Sequence, residues 1–280
     1  AEASDAQLVI AGGDSAGLIA AGQAAAEGMD PSKILILAPG EELAADMTEM
    51  APYVNAADTD EQFQANLTDD FEIYLSDIMT AGNNTNNSDM AAYVSENSEE
   101  AKDWLADTLG MEYGDLAQEA GSSVARSFPA KEGNLNELAQ EALLKKVEEL
   151  KIPVEYKAEL KSVAYNEEGA LDRITVTVDG KDQEIDCLAL VATDVSLIPV
   201  FEESQVYEAD GKAAALVVSN NAEQLNKDSG ELINGLYAAG PILSAAVDGE
   251  GVLSGNELTE AVMFGSTAGT EAAVYVSDNQ

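Results

Sequence analysis

The sequence predicts an α/β fold of Rossmann-like type, a central parallel sheet carrying an added antiparallel β-meander. Three observations predict it. Val9–Ala21, VIAGGDSAGLIAA, joins the apolar run Leu8–Ala11 to an Ala-rich segment, Ser15–Glu27, through a glycine-rich turn. A second apolar run follows at Lys33–Leu37 (KILIL), so the chain opens as strand, helix, strand. Further on, Val154–Lys157, Leu160–Tyr165, Asp172–Val178 and Ile185–Ala192 read as strands, with Glu167-Glu168-Gly169 and Asp179-Gly180 as turn signals.

The first turn nearly repeats a dinucleotide-binding fingerprint and then breaks it. G-x-G-x-x-G requires glycine at three places, and Gly12 and Gly17 occupy the first and third. Gly13 lies between them, and the second required place is Asp14. A carboxylate there blocks a pyrophosphate sterically and repels the phosphates that a helix N-terminus attracts.

Asp58–Ala81 and Ser88–Leu109 have helical spacing, with Ser88 as N-cap and Gly110 just past the second helix. Asn83–Asn87 is a polar loop with sequons at Asn83 and Asn86, and a third lies at Asn66. Asn134–Lys151 is amphipathic, with Leu135, Leu138, Ala142, Leu143, Val147 and Leu150 on its apolar side. Gly235–Ala239 is a short strand, and Glu257–Val276 a closing helix rich in Ala and Gly. There is no internal repeat and no interdomain linker. A single domain over residues 5–280 is expected, with a helical insertion at about 58–133 and a meander at about 154–184.

Composition excludes several functions. The 280 residues carry 53 acidic and 13 basic side chains, net −40, which repels nucleic acid and anionic membranes. No apolar stretch is long enough to span a bilayer. Cys187 is the lone cysteine and reads as a buried structural thiol. Histidine is absent, which removes every Ser-His or Cys-His arrangement and the commonest metal ligand. Asp248-Gly249-Glu250-Gly251 hints at a calcium loop, but Val252 and Thr259 fall where ligands are needed, so no metal is expected. Ala1-Glu2-Ala3-Ser4 reads as what remains of a cleaved export signal, or of a trimmed expression product.

In order along the chain, these segments resemble the flavoprotein subunits of fumarate reductases, of the flavocytochrome c and urocanate reductase type. VIAGGDSAGLIAA is similar to that family's first phosphate turn, and Asp69–Leu109 to its helical stretch. Gly121–Arg126 (GSSVAR) resembles its "GASVxR". Ile185–Asp194 resembles its strand ending in "ATGG", Gly235–Gly240 (GLYAAG) its "GLYAAGE", and Glu257–Ala273 its closing helix. The resemblance implies a three-layer β/β/α FAD/NAD(P)-binding fold.

The departures from that pattern concern function. Ala38 stands where an acid would hold the adenosine ribose, and Glu41 and Glu42 replace glycines of a "PGGN" loop. Asp194 interrupts "ATGG", Pro241 follows Gly240 in place of the glutamate of "AAGE", and Phe128-Pro129 replaces a His-Arg pair. Four carboxylates, at Asp14, Glu41, Glu42 and Asp194, thus occupy glycine places. At ~5 Å and an effective dielectric of ~20, each carboxylate–phosphate pair costs roughly 3 kcal/mol. Two such pairs abolish an ordinary micromolar site.

The family's capping domain, which supplies histidine and arginine groups, is replaced by Val195–Ile233. Arg126 matches the family motif, whereas Arg173, the other arginine, reads as a surface charge in the meander.

The expectation is therefore a secreted or cell-surface, non-catalytic descendant of a flavin reductase. It would bind no cofactor and act as a structural or interaction protein that associates with itself or with another surface protein. The alternative is an FAD-binding oxidoreductase or an accessory electron-transfer module.

Overall fold

A computed structural model of the chain describes residues 5–280, so the expectation of an export-signal remnant or a trimmed product at Ala1–Ser4 lies outside the described residues. The chain divides into two compact units. The first comprises the residues up to Ala45, Leu143–Leu243 and Phe264–Gln280, and the second comprises Asp46–Ala142 and Ser244–Met263.

The first unit is built on a six-stranded sheet ordered β12-β13-β9-β1-β2-β5. These strands are β1 (Leu8–Ala11), β2 (Ile34–Ala38), β5 (Val154–Tyr156), β9 (Ala189–Ala192), β12 (Glu223–Leu225) and β13 (Leu232–Ala238). All neighbours are parallel except β12 and β13. The residues of β1, β2 and β9 are buried throughout, as continuous apolar runs require in a parallel sheet covered on both faces.

Helix α1 (Ser15–Ala26) covers β1, β2 and β9, and the antiparallel meander β6 (Ala158–Tyr165), β7 (Leu171–Val178) and β8 (Lys181–Asp186) packs on β2 and β13. The architecture is the mixed α/β fold with parallel core and meander that the sequence predicts. One expected strand, Ile185–Ala192, divides in two. Its polar beginning belongs to β8 and its apolar end to β9, and the Leu188 and Ala189 amides between them both donate to the Gln7 carbonyl.

Helix α1 is buried almost all round, which its Ala and Gly content permits. The last part of α8 (Asn256–Asp278) lies directly on it. A Cβ on Gly269 would stand 2.4 Å from the Ala20 carbonyl oxygen, and one on Gly265 2.9 Å from that of Ala16. Backbone cannot yield as a side-chain tip can, so Gly269→Val is expected to destabilise this unit by roughly 1–3 kcal/mol. Circular dichroism melts check this, and an unchanged Tm would show that the helices can separate without cost.

The second unit holds β3 (Tyr53–Asn55) paired with β4 (Ser127–Pro129), and the helices α2 (Asp60–Gln64), α3 (Phe71–Ala81), α4 (Ser88–Glu96) and α5 (Ser98–Leu109). The expected helix over Asp58–Ala81 breaks because Thr59 and Asp70 each cap a new helix, and Asn66 between them takes φ +56°. The expected helix over Ser88–Leu109 likewise breaks at Asn97. Its N-cap is Asn87 rather than Ser88, and it ends on Gly110 in the left-handed region as read.

Helices α6 (Leu135–Leu150), α7 (Pro241–Asp248) and α8 each carry a boundary between the units. No described helix is long and apolar enough to cross a membrane.

Candidate cofactor site

Every residue singled out in the glycine-rich turns falls in the first unit, where β1, β2, β9 and β13 end. Gly12 follows β1 with φ +146°, and a Cβ there would meet the Thr193 hydroxyl at 1.8 Å. A Cβ on Gly17 would meet the Gly12 carbonyl oxygen at 2.6 Å. Both are therefore held as glycine by the fold's own packing. Gly13 packs against Ala38, the buried last residue of β2, and its carbonyl accepts the Ala44 amide.

Asp14 decides the character of the turn. It is the N-cap of α1: one carboxylate oxygen accepts the Gly17 amide at 3.0 Å, and the other accepts the Thr193 hydroxyl at 2.5 Å. An N-terminal helix amide that offers itself to an anion is thus engaged by the protein's own carboxylate. Gly240, with φ +68°, closes the far side: a Cβ there would lie 2.5 Å from that of Ala16 and 3.5 Å from the Asp14 carboxylate. Pro241 begins α7, where a missing N–H costs nothing.

The other acids stand apart from this knot. Asp194 follows β9 and caps the 3₁₀ turn Val195–Val200 by accepting the Ser196 amide at 2.8 Å. Glu41 and Glu42 are exposed on the loop after β2, and Glu41 pairs with Lys157 at 2.5 Å. Lys161 pairs with Glu159 on β6. A cavity of about 440 Å³ opens over the ends of β1 and β2, with Gly12, Leu37, Pro39, Leu160, Leu197 and Asp194 among its lining. Thr193 is the participant that sequence reasoning did not single out. Its place inside the altered "ATGG" segment was the available signal.

The arginine carried by GSSVAR is not at this site. Arg126 is fully buried in the second unit, where it grips Asp69 through two hydrogen bonds of 2.9 and 3.1 Å and pairs with Asp77 at 2.9 Å. Its guanidinium stacks 4.5 Å from the centre of the Tyr74 ring. Arg173 pairs with Glu184 and Asp186 on the meander surface, as expected of a solvated charge. Cys187 is buried, and burial pushes its thiol up to about 12, so it is no nucleophile at neutral pH. Among the described residues no three His, Cys, Asp or Glu side chains are grouped to hold a metal.

A mostly parallel sheet, an antiparallel meander and a glycine-rich strand-to-helix turn define a Rossmann-like α/β fold. The structure of a flavocytochrome c3 fumarate reductase in its open conformation is similar over 97% of this chain and 78% of that one, with a TM-score of 0.78 and 14% identity. A 3-ketosteroid-Δ4-(5α)-dehydrogenase from Rhodococcus jostii RHA1 is similar over 96% of both chains, with a TM-score of 0.73 and 15% identity.

In sequence, an NADH:fumarate oxidoreductase of Klebsiella pneumoniae (strain 342) is 29% identical over 127 residues. That match covers 45% of this chain and 13% of the larger protein. No protein-family profile matches the chain. The fold is that of the fumarate reductase flavoproteins, and the resemblance read from the motifs is met by these relatives.

Proposed function

We propose that this chain keeps a flavin reductase fold without its dinucleotide chemistry, and works as a structural or interaction protein. The single observation that carries this reading is Asp14. Its carboxylate bridges the Gly17 amide and the Thr193 hydroxyl at the place where a pyrophosphate would meet the helix. FAD does not fit these residues as they stand: its phosphates would displace or face that carboxylate. Ala38 offers a ribose no hydrogen bond from its side chain. The absence of histidine supports the same reading, since proton delivery to a substrate loses its commonest agent.

A second reading, an FAD-dependent oxidoreductase or an accessory electron-transfer module, is favoured by the relatives. Both the sequence match and the first structural neighbour are named as fumarate-reducing enzymes. FAD titration of the full chain, followed by flavin fluorescence, separates the two readings. Colourless protein without saturable micromolar uptake is the expected result. A yellow protein, or submicromolar binding, overturns the first reading and establishes the second.

The partner belongs to the same proposal: a second copy of this chain, or another protein at a cell surface. With a net charge of −40, like charges oppose both compaction and association, and screening shortens their reach to about 8 Å at 0.15 M salt. Tm and particle size are accordingly expected to rise between low salt and ~0.5 M, with divalent cations acting at lower concentration. Light scattering that stays flat across that range would exclude charge-limited self-association.

A further inference from the structure

We infer that the cavity over the ends of β1 and β2 is a binding site for a flat, uncharged or cationic ring compound that carries no phosphate. The inference rests on the preceding reading of Asp14 and extends it from what the site refuses to what it accepts. At about 440 Å³ the cavity is in the size range of small-molecule sites. Gly12 and Ala11 contribute the end of β1 to its lining. Leu37, Pro39, Leu160, Leu197 and Val200 form an apolar surround.

The charges around it have one sign to spare. Asp194 lines the cavity, and the Asp14 carboxylate lies 3.0 Å from where a Gly12 Cβ would be. Lys161 is the cation among the lining residues, and Glu159 beside it already neutralises it. Lys157, nearby in sequence, is paired with Glu41. One of the helix amides that could offset a phosphate, that of Gly17, is bonded to Asp14. A pocket with apolar walls at Leu37, Pro39, Leu160, Leu197 and Val200 and a net negative charge from Glu159, Lys161 and Asp194 favours neutral and cationic rings and penalises anions, in proportion to their charge.

The test is calorimetric titration of the full chain with three probes: adenosine, AMP and tryptamine. Adenosine and AMP share a ring system and differ by the phosphate, while tryptamine pairs a flat ring with a cation. Saturable binding of adenosine or tryptamine is expected, with AMP weaker than adenosine by about tenfold or more, a difference of about 1.4 kcal/mol.

Two variants place the site. Leu197→Trp fills the cavity and should abolish binding while circular dichroism stays unchanged. Asp194→Asn should narrow the gap between adenosine and AMP. AMP binding as tightly as adenosine overturns the proposal. So does failure of both ring compounds to saturate at millimolar concentration, or binding that survives Leu197→Trp. FAD run in the same instrument keeps the two proposals apart. Tight FAD uptake overturns the preceding reading, whereas silence from FAD, adenosine and tryptamine together overturns this inference alone.

Discussion

Replacing Arg126 by Met is expected to lower the stability of the second unit by about 3–5 kcal/mol, the cost of breaking a buried ion pair from one side. Arg126 is fully buried, as is the Asp69 side chain, and Asp77 is nearly so. Without the guanidinium, Asp69 retains the Gln62 amide at 2.7 Å, and Asp77 retains the Ser123 amide and hydroxyl at 2.8 Å. Two carboxylates would then face each other with no cation between them, beside the Tyr74 ring whose contact with the guanidinium is also lost.

Arg126→Lys should recover little, because one ammonium cannot reproduce the forked grip on Asp69 together with the bond to Asp77. Trp104 on α5, the chain's one tryptophan, reports on this unit. Its fluorescence during urea unfolding should show the midpoint falling in both variants. Restoration is expected when Asp69→Asn and Asp77→Asn are added to Arg126→Met. If the single variant unfolds at the wild-type midpoint, the cluster is not what holds these segments.

Arg126 also shows how far sequence reading reaches. The motif GSSVAR located the arginine, but nothing in it told whether a substrate or the protein's own acids would meet the charge. Asp69 lies 57 residues earlier, and only the folded chain joins them. The central sheet was legible because β1, β2 and β9 are uninterrupted apolar runs, a pattern that needs no partner information.

Helix breaks at Asn66 and Asn97 were not legible, since helical periodicity runs across them and the deciding contacts are local caps. At the cofactor turn the sequence exposed Asp14 as an intruder. It could not show that the carboxylate had found two donors, which turns a repulsive defect into a closed hydrogen-bonded knot. Thr193 lies 179 residues away, and its hydroxyl completes that arrangement.

The same limit hid a pair of acids in the second unit, and their titration yields the other large effect. Glu260 on α8 is buried and pairs with no cation among the described residues, and Asp248 at the end of α7 shares its hydrogen bond. Burial, followed by the neighbouring Asp248 charge, holds the Glu260 carboxyl well above the usual range, so it keeps its proton and donates to Asp248. Burial likewise pushes Asp248 up to about 7, with Glu257 adding repulsion and the Glu260 hydrogen bond opposing the rise.

Both groups bind protons more tightly folded than unfolded. Their contribution is therefore complete below pH ~4 and is lost as pH rises through about 7 and above. Raising Asp248 from 3.8 to about 7 corresponds to about 4 kcal/mol between those limits, at 1.36 kcal/mol per unit.

Glu260→Gln isolates this contribution from the general repulsion of an acidic surface. The amide still donates to Asp248 but has no proton to lose. Urea unfolding between pH 5 and pH 9, followed through Trp104, should give a shallower decline for Glu260→Gln than for the parent chain. The variant should be the less stable of the two at pH 5 and the more stable at pH 9. Parallel pH profiles would mean that the two carboxyls are solvated in solution and do not share a proton.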